Sequence, residues 1–209
     1  MADPPTPVPT PTSGGVLRAD QRDDSSIIAT SLRAPERFAE LFDRHAAELH
    51  RYVVRRLGPE PAEDVVAETF TRAFEKRHHY DLSRGEALPW LYGILTNVIG
   101  SHRRAEVRGY RALARTGEDP VAVAFDEQVV ARVSASATRK RIADALARLG
   151  RGERDVLLLI AWGDLTYEET AQALGVPIGT VRSRLSRARR KVAKALGGVN
   201  PIDVREETP

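Results

Sequence analysis

At 209 residues the chain has room for one domain or two small ones, and a hydrophobic fraction of 42% is enough for compact cores. It holds 32 Lys and Arg against 29 Asp and Glu, a net charge of only +3, so any strong basicity is local and is balanced by acid elsewhere. The lack of cysteine excludes disulfides and Cys-ligated zinc, and the longest apolar run, Val156 to Trp162, is far below the roughly 20 residues of a membrane span.

The N-terminus carries no basic region followed by an apolar one, so no secretory signal is expected and the chain is assigned to the cytoplasm. Residues 1–30 are rich in Pro, Thr, Ser and Asp, with PPTPVPTPTSGG the clearest part. Such a segment buries too little apolar surface to offset its ordering entropy, and it reads as a disordered arm.

From Pro35, suited to a first helical turn, Phe38, Leu41, Phe42, His45, Leu49, Tyr52 and Val53 recur at helical spacing up to Gly58. A second helix follows Pro59 and Pro61, with Val65, Val66, Thr69, Phe70, Ala73 and Phe74 on one face and Glu60, Glu63, Asp64 and Glu68 on the other. Acid in a first turn complements the helix dipole, which accounts for part of this cluster and leaves the rest for a partner. YDLSRGEA, from Tyr80 to Ala87, is a polar loop. Leu88 and Pro89 then open a third helix whose apolar residues are Trp90, Leu91, Ile94, Leu95, Val98 and Ile99, and which ends basic at Arg103 and Arg104. Three helices with short connections and matching apolar faces make a small bundle over residues 34–105.

Residues 106–137 have little periodicity and are punctuated by Gly109, Gly117 and Pro120, which predicts a flexible linker with at most a short helix around Phe125 to Val133. A second bundle is expected over 138–196, followed by a Gly-rich, polar tail at 197–209. Ile142, Leu146 and Leu149 form one helical face before Gly150, and Val156, Leu157, Leu159, Ile160 and Trp162 another before Gly163.

The most informative stretch is TYEETAQALGVPIGTVRSRLSRARRKVAK, from Thr166 to Lys194. Thr166 and Glu169 have the spacing of a capping box, and Gly175 closes the short helix at a position where left-handed backbone costs glycine little. After Pro177 a second helix sets Ile178, Val181, Leu185, Ala188 and Val192 on one side and Arg182, Ser183, Ser186, Arg187 and Arg190 on the other. Two short helices joined through a Gly-containing turn form a helix-turn-helix, whose second helix enters the DNA major groove. No Asp or Glu occurs from Thr170 through Ile202, whereas a solvated surface helix normally mixes both signs.

An enzyme would need a catalytic constellation, and the histidines do not supply one. His45 and His50 are off one helical face, His78 and His79 are adjacent, and no HExxH, phosphate loop or GxSxG is present. No cofactor or metal site is expected. A dimeric helix-turn-helix regulator reading duplex DNA by itself is one reading; it would leave the acidic helix without a use, and the chain offers no dimerisation heptads.

AEDVVAETFTRAF at Ala62 to Phe74 and PWLYGILTNVIGSHRR at Pro89 to Arg104 resemble domain 2 of bacterial RNA polymerase sigma factors, and the block from Thr138 to Lys194 resembles domain 4. With only a linker between them, the chain resembles the extracytoplasmic-function group, and the likeness covers about three quarters of it. The resemblance implies an all-α fold of two helical bundles and a role in directing core polymerase to the promoters of one regulon and opening them. It implies docking of Glu63, Asp64, Glu68, Thr69, Phe70 and Arg72 on the clamp coiled coil of the largest polymerase subunit. It further implies that domain 4 meets the flap of the second subunit, and that the chain joins the nucleoid when in holoenzyme.

The same resemblance places Tyr80, Asn97, Arg103 and Arg104 at the single-stranded −10 element. It sets Arg182, Ser183, Ser186, Arg187 and Arg190 against the −35 duplex, with Thr180 and Arg184 on phosphates. An anti-sigma factor that clamps between the domains is a further implied partner, and no membrane insertion is implied. Gly93 and Gly100 depart from the pattern, because family members often carry larger residues there and each glycine costs a helix about 1 kcal/mol. Either they permit close packing, or this helix orders fully only on polymerase.

Overall fold

The structure, a computed structural model, describes residues 23–116 and 129–197, the latter with side chains from 136. Among these residues there are nine α-helices and no strand. α1 (Asp24–Ser31) lies before α2 (Ala39–Leu57), separated from it by a 3-10 turn at Pro35–Phe38. α2 stops at Gly58, whose φ of 91° a side chain would oppose. α3 (Ala62–Lys76) and α4 (Leu88–Ser101) complete the N-terminal bundle, and a break at His102 separates α4 from α5 (Arg103–Thr116). α6 (Val129–Arg148), α7 (Arg151–Trp162), α8 (Tyr167–Leu174) and α9 (Ile178–Ala195) form the C-terminal half.

Several expected boundaries move. The segment 24–31, read from the sequence as part of a disordered arm over 1–30, is helical; residues 1–22 lie outside the described residues. α1 is held by tertiary contacts that local composition does not reveal. The Asp24 carboxylate accepts from the buried Ala87 amide at 2.9 Å and from His45 Nε2 at 2.8 Å, while Ile27 and Ile28 are buried beneath it. Burial pushes the Asp24 carboxyl up, but the hydrogen bonds from His45 and Ala87 and the charges of His45 and Arg44 outweigh it and hold the group below its usual range. The boundaries expected at 105/106 and 137/138 fall inside α5 and α6, which pack along each other, and the short helix expected around Phe125 to Val133 lies partly outside the described residues.

The two bundles share one buried core that runs from Ile27 to Leu196. α4 packs on both α3 and α8, so the third helix of the first bundle also serves as a platform for the helix-turn-helix. A charged cluster crosses the same boundary. Arg56 of α2 donates to Glu106 of α5 at 2.6 Å and to Asp155 of α7 at 2.9 Å, and Arg154 donates to the other Glu106 oxygen at 3.1 Å. All four residues are buried. Two cations and two anions at these distances satisfy one another where a lone charge would cost several kcal/mol.

Candidate nucleic-acid interface

The helix-turn-helix forms as its local chemistry dictates. Thr166 Oγ1 accepts from the Glu169 amide at 3.2 Å, Glu169 Oε2 accepts from the Thr166 amide at 2.7 Å, and Gly175 takes a left-handed conformation at φ 61°. Val181, Leu185, Ala188 and Val192 are buried against the bundle, which turns the opposite face of α9 outward. Arg182, Ser183, Ser186, Arg187 and Arg190 are exposed on that face, and Thr180 is half-buried at its start.

Two arginines of α9 are already engaged. Arg184 is half-buried and lies over Gly152 of α7, in a crevice that also holds Asn97, so it turns away from the exposed face. Glu153 of α7 receives Lys191 at 2.6 Å and Arg187 at 3.7 Å, and the hydrogen bond from Lys191, followed by that of the Gly150 amide, holds its carboxyl below the usual value. Glu153 thus ties α9 to α7, while Arg182 and Arg190 stand on the exposed face with no carboxylate beside them in the pairs seen among the described residues.

The residues expected at the −10 element divide between two places. Tyr80 and Asn97 line one open cavity of about 370 Å³, together with Arg72, Lys76, Trp90 and Gln172. Arg103 and Arg104 begin α5 beyond the helix break and border a separate groove with Arg108 and Arg111. Asn97 is exposed; its Nδ2 donates to the Gly93 carbonyl at 3.0 Å, and Arg151 Nη2 approaches its Oδ1 at 3.5 Å. The Tyr80 hydroxyl is shared between the carbonyls of Arg84 at 2.7 Å and Glu86 at 3.0 Å, and its ring sits 5.0 Å from that of Trp90. Burial pushes that hydroxyl up to about 12. Tyr80 therefore pins the loop, while the half-buried Trp90 combines core packing with a wall of the cavity.

Trp90, Lys76 and Arg151 were not singled out as contact residues from the sequence. Lys76 and Trp90 follow the helical registers of α3 and α4, whereas Arg151 arrives from another half of the chain and leaves no local signal. An aromatic wall, a side-chain amide and cations around one cavity suit an unstacked nucleobase with its phosphates.

On α3, Glu63 and Asp64 are exposed in the first turn, and Glu68 is half-buried and paired with Arg72 at 2.6 Å. Thr69 and Phe70, expected on the same surface, face inward: Thr69 donates to the Val65 carbonyl at 2.7 Å, and Phe70 packs edge-on against Phe42 at 4.8 Å. Of the six residues expected to dock, Thr69 and Phe70 are thus the two that lie on the packed side of α3. Arg72 borders the cavity of Tyr80 and Asn97 as well as pairing with Glu68. Among the described residues there is no cluster of His, Asp and Glu suited to a metal, and no helix is long and apolar enough to cross a membrane.

The comparisons agree with this division. Residues 41–109 match the Sigma-70 region 2 family, and residues 139–192 match Sigma-70, region 4. The chain is 35% identical over 158 residues to the ECF RNA polymerase sigma factor SigL of Mycobacterium tuberculosis, covering 75% of this chain and 86% of that protein. It is 28% identical over 169 residues to SigW of Bacillus subtilis, covering 76% and 88%. Among solved structures it is similar to CnrH in complex with the cytosolic domain of CnrY, with a TM-score of 0.56 and 25% identity over 83% of this chain and 97% of that one. It is also similar to the sigma factor RpoE in complex with the anti-sigma factor NepR from Bartonella quintana, with a TM-score of 0.53 and 25% identity over 77% and 96%. With both regions matched in order, and with relatives covered over most of their length, the chain belongs to the extracytoplasmic-function family of RNA polymerase sigma factors.

Proposed function

We propose that this sigma factor binds core RNA polymerase through the outer face of α3, with Glu63 and Asp64 in contact and Glu68 and Arg72 at the edge. Both acidic residues are exposed in the first turn of a helix whose opposite face is fully packed, which suits an electrostatic partner surface that sets register and encounter rate. Asn97 and Trp90 receive a flipped base of the −10 element, Arg72 and Lys76 neutralise its phosphates, and Arg103 and Arg104 hold the flanking backbone. Arg182, Ser183, Ser186 and Arg190 read the −35 duplex.

The observation that carries this reading is the cavity joining Asn97, Trp90 and the cations Arg72 and Lys76 on the same bundle as the acidic face. A chain acting on duplex DNA alone would have no use for an aromatic-walled cavity lined by cations and a side-chain amide, which counts against the dimeric-regulator alternative. The solved relative named for its complex with the anti-sigma factor NepR supports an anti-sigma partner for this chain as well.

Permanganate footprinting of holoenzyme on its promoters tests the assignment. Asn97→Ala is expected to abolish thymine reactivity at the −10 element while DNase I protection of the −35 region persists. Unchanged reactivity would reject Asn97 as the base-capturing residue.

A further inference from the structure

The loop from Tyr80 to Ala87, which leads into α4, is held from two sides. From within, the Tyr80 hydroxyl donates to the carbonyls of Arg84 and Glu86. From outside, the first turn of α1 takes the positions between and after them: the Ser25 amide donates to the Gly85 carbonyl at 3.4 Å, and the Ala87 amide donates to Asp24 Oδ2 at 2.9 Å. Residues 84 to 87 are thus engaged alternately by Tyr80 and by α1. The loop and α4 together line the cavity assigned to the −10 base, through Tyr80, Asp81 and Arg84 from the first and Trp90 and Asn97 from the second.

Asp24 does for α4 what no local residue does. Ala87 stands at the N-cap of that helix, no side chain of its own segment caps it, and Pro89 follows in the first turn. In a capping box the N-cap amide is accepted by a glutamate three residues on; here it is accepted by a carboxylate 63 residues earlier, whose charge also complements the helix dipole. Asp24 is itself held in place. His45 Nε2 donates to the same Oδ2 at 2.8 Å, Arg44 Nη1 approaches Oδ1 at 3.4 Å, and the buried Ile27 and Ile28 anchor α1 in the core.

An α1 that served stability alone would not need the charge. Ile27 and Ile28 already fix the helix to the bundle, and replacing a buried ion pair by apolar residues of similar size is often neutral or stabilising. An apolar residue at position 24 would fill the same space but would leave the Ala87 amide without its acceptor and the start of α4 free to shift. A base pocket built from a loop and a helix needs both within about 0.5 Å of the productive geometry.

We propose that Asp24, held by His45 and Arg44, is a positioning residue for promoter opening: through the Ala87 amide it sets the loop 80–87 against the first turn of α4 and so sharpens base discrimination at the −10 element. The inference rests on the assignment of the Asn97 cavity to that base. Asp24 is buried and acts through the backbone of the segment that lines the cavity.

Holoenzyme carrying Asp24→Ala tests this with fluorescent single-stranded oligonucleotides, one with the −10 sequence of a promoter mapped from its run-off transcript and others with one base changed, at a temperature where every variant is folded. The variant is expected to lose roughly fivefold of the preference for the matched strand, the scale of one hydrogen bond, while core affinity and −35 duplex binding stay as in wild type. Asp24→Asn keeps an oxygen for the Ala87 amide and is expected to recover part of the preference. Ile28→Ala loosens α1 with the carboxylate in place and is expected to lower the melting temperature yet keep the preference. Should Asp24→Ala fail to fold, His45→Ala, which removes the clasp on the carboxylate, carries the same expectation. A folded variant that discriminates as wild type does, or an equal loss in Ile28→Ala, would overturn the positioning role. Wild-type holoenzyme that binds all the strands alike would instead contradict the −10 assignment, and the inference with it.

Discussion

Arg56 donates to Asp155, 99 residues away in the sequence, at 2.9 Å with both side chains out of solvent. Burial lowers the Arg56 guanidinium's affinity for its proton, but Tyr52, Glu106 and Asp155 together raise it well above the ordinary arginine value. The two halves of the sigma factor are therefore joined by a charge that cannot titrate away. Replacing it weakens both carboxylates at once: Arg56→Met leaves Glu106 with Arg154 alone and Asp155 with Arg151 alone, and is expected to destabilise by about 3 kcal/mol. Asp155→Asn, which leaves Arg56 with Glu106, is expected to cost about 1–3 kcal/mol. Urea unfolding of the two variants measures the order.

Thr166 caps α8 and Glu169 completes the box. Thr166→Ala is expected to remove about 1 kcal/mol of stability. It is also expected to weaken −35 duplex binding by isolated holoenzyme, because α8 sets the position from which α9 enters the groove. Thermal melts read the first effect and electrophoretic mobility shifts the second.

Acid sensitivity of the N-terminal bundle should centre on Asp24. Its folded pKa lies below the ordinary aspartate value of 3.8, so the carboxylate contributes stability above about pH 4 and that contribution is lost as the pH falls through the lower, folded value. Asp24→Asn is expected to lower stability by about 1.5–3 kcal/mol at neutral pH and to flatten the decline between pH 4 and the folded value. Circular dichroism across that pH range shows whether the acid limb changes.

On α9, Arg182 is exposed with no carboxylate partner seen among the described residues, and Arg187 is drawn toward Glu153. Arg182→Ala is expected to cost about 1–3 kcal/mol of −35 discrimination, the scale of one bidentate guanine contact. Glu153→Gln, which frees both Arg187 and Lys191, is expected to strengthen binding to all sequences alike and to steepen its salt dependence. Competition binding with specific and scrambled duplexes separates the two outcomes.

The helix-turn-helix was legible to the residue, because the capping box, the C-terminal glycine and the apolar register of α9 are local signals. The two bundles were legible from periodicity. α1 was not, since Asp24 acquires its role only when Ala87 and His45 are brought beside it. Arg56 and Arg154 look like surface arginines in the sequence, and only contacts across 48 to 99 residues reveal them as core. Thr69 and Phe70 were carried onto the polymerase face by resemblance, although the α3 register had already set them on its apolar side. Gly93 and Gly100 stood out as costly in a helix, and their reason came from the opposite half of the chain.

Reconstitution with core polymerase tests the central claim most directly. Purified chain, core enzyme and promoter fragments from its own genome are expected to give a complex on size exclusion and a run-off transcript. The double variant Glu63→Lys, Asp64→Lys is expected to lose both while keeping its helical content and melting temperature. Absence of complex and transcript with the wild-type chain, or undiminished core binding by the folded double variant, would contradict the account.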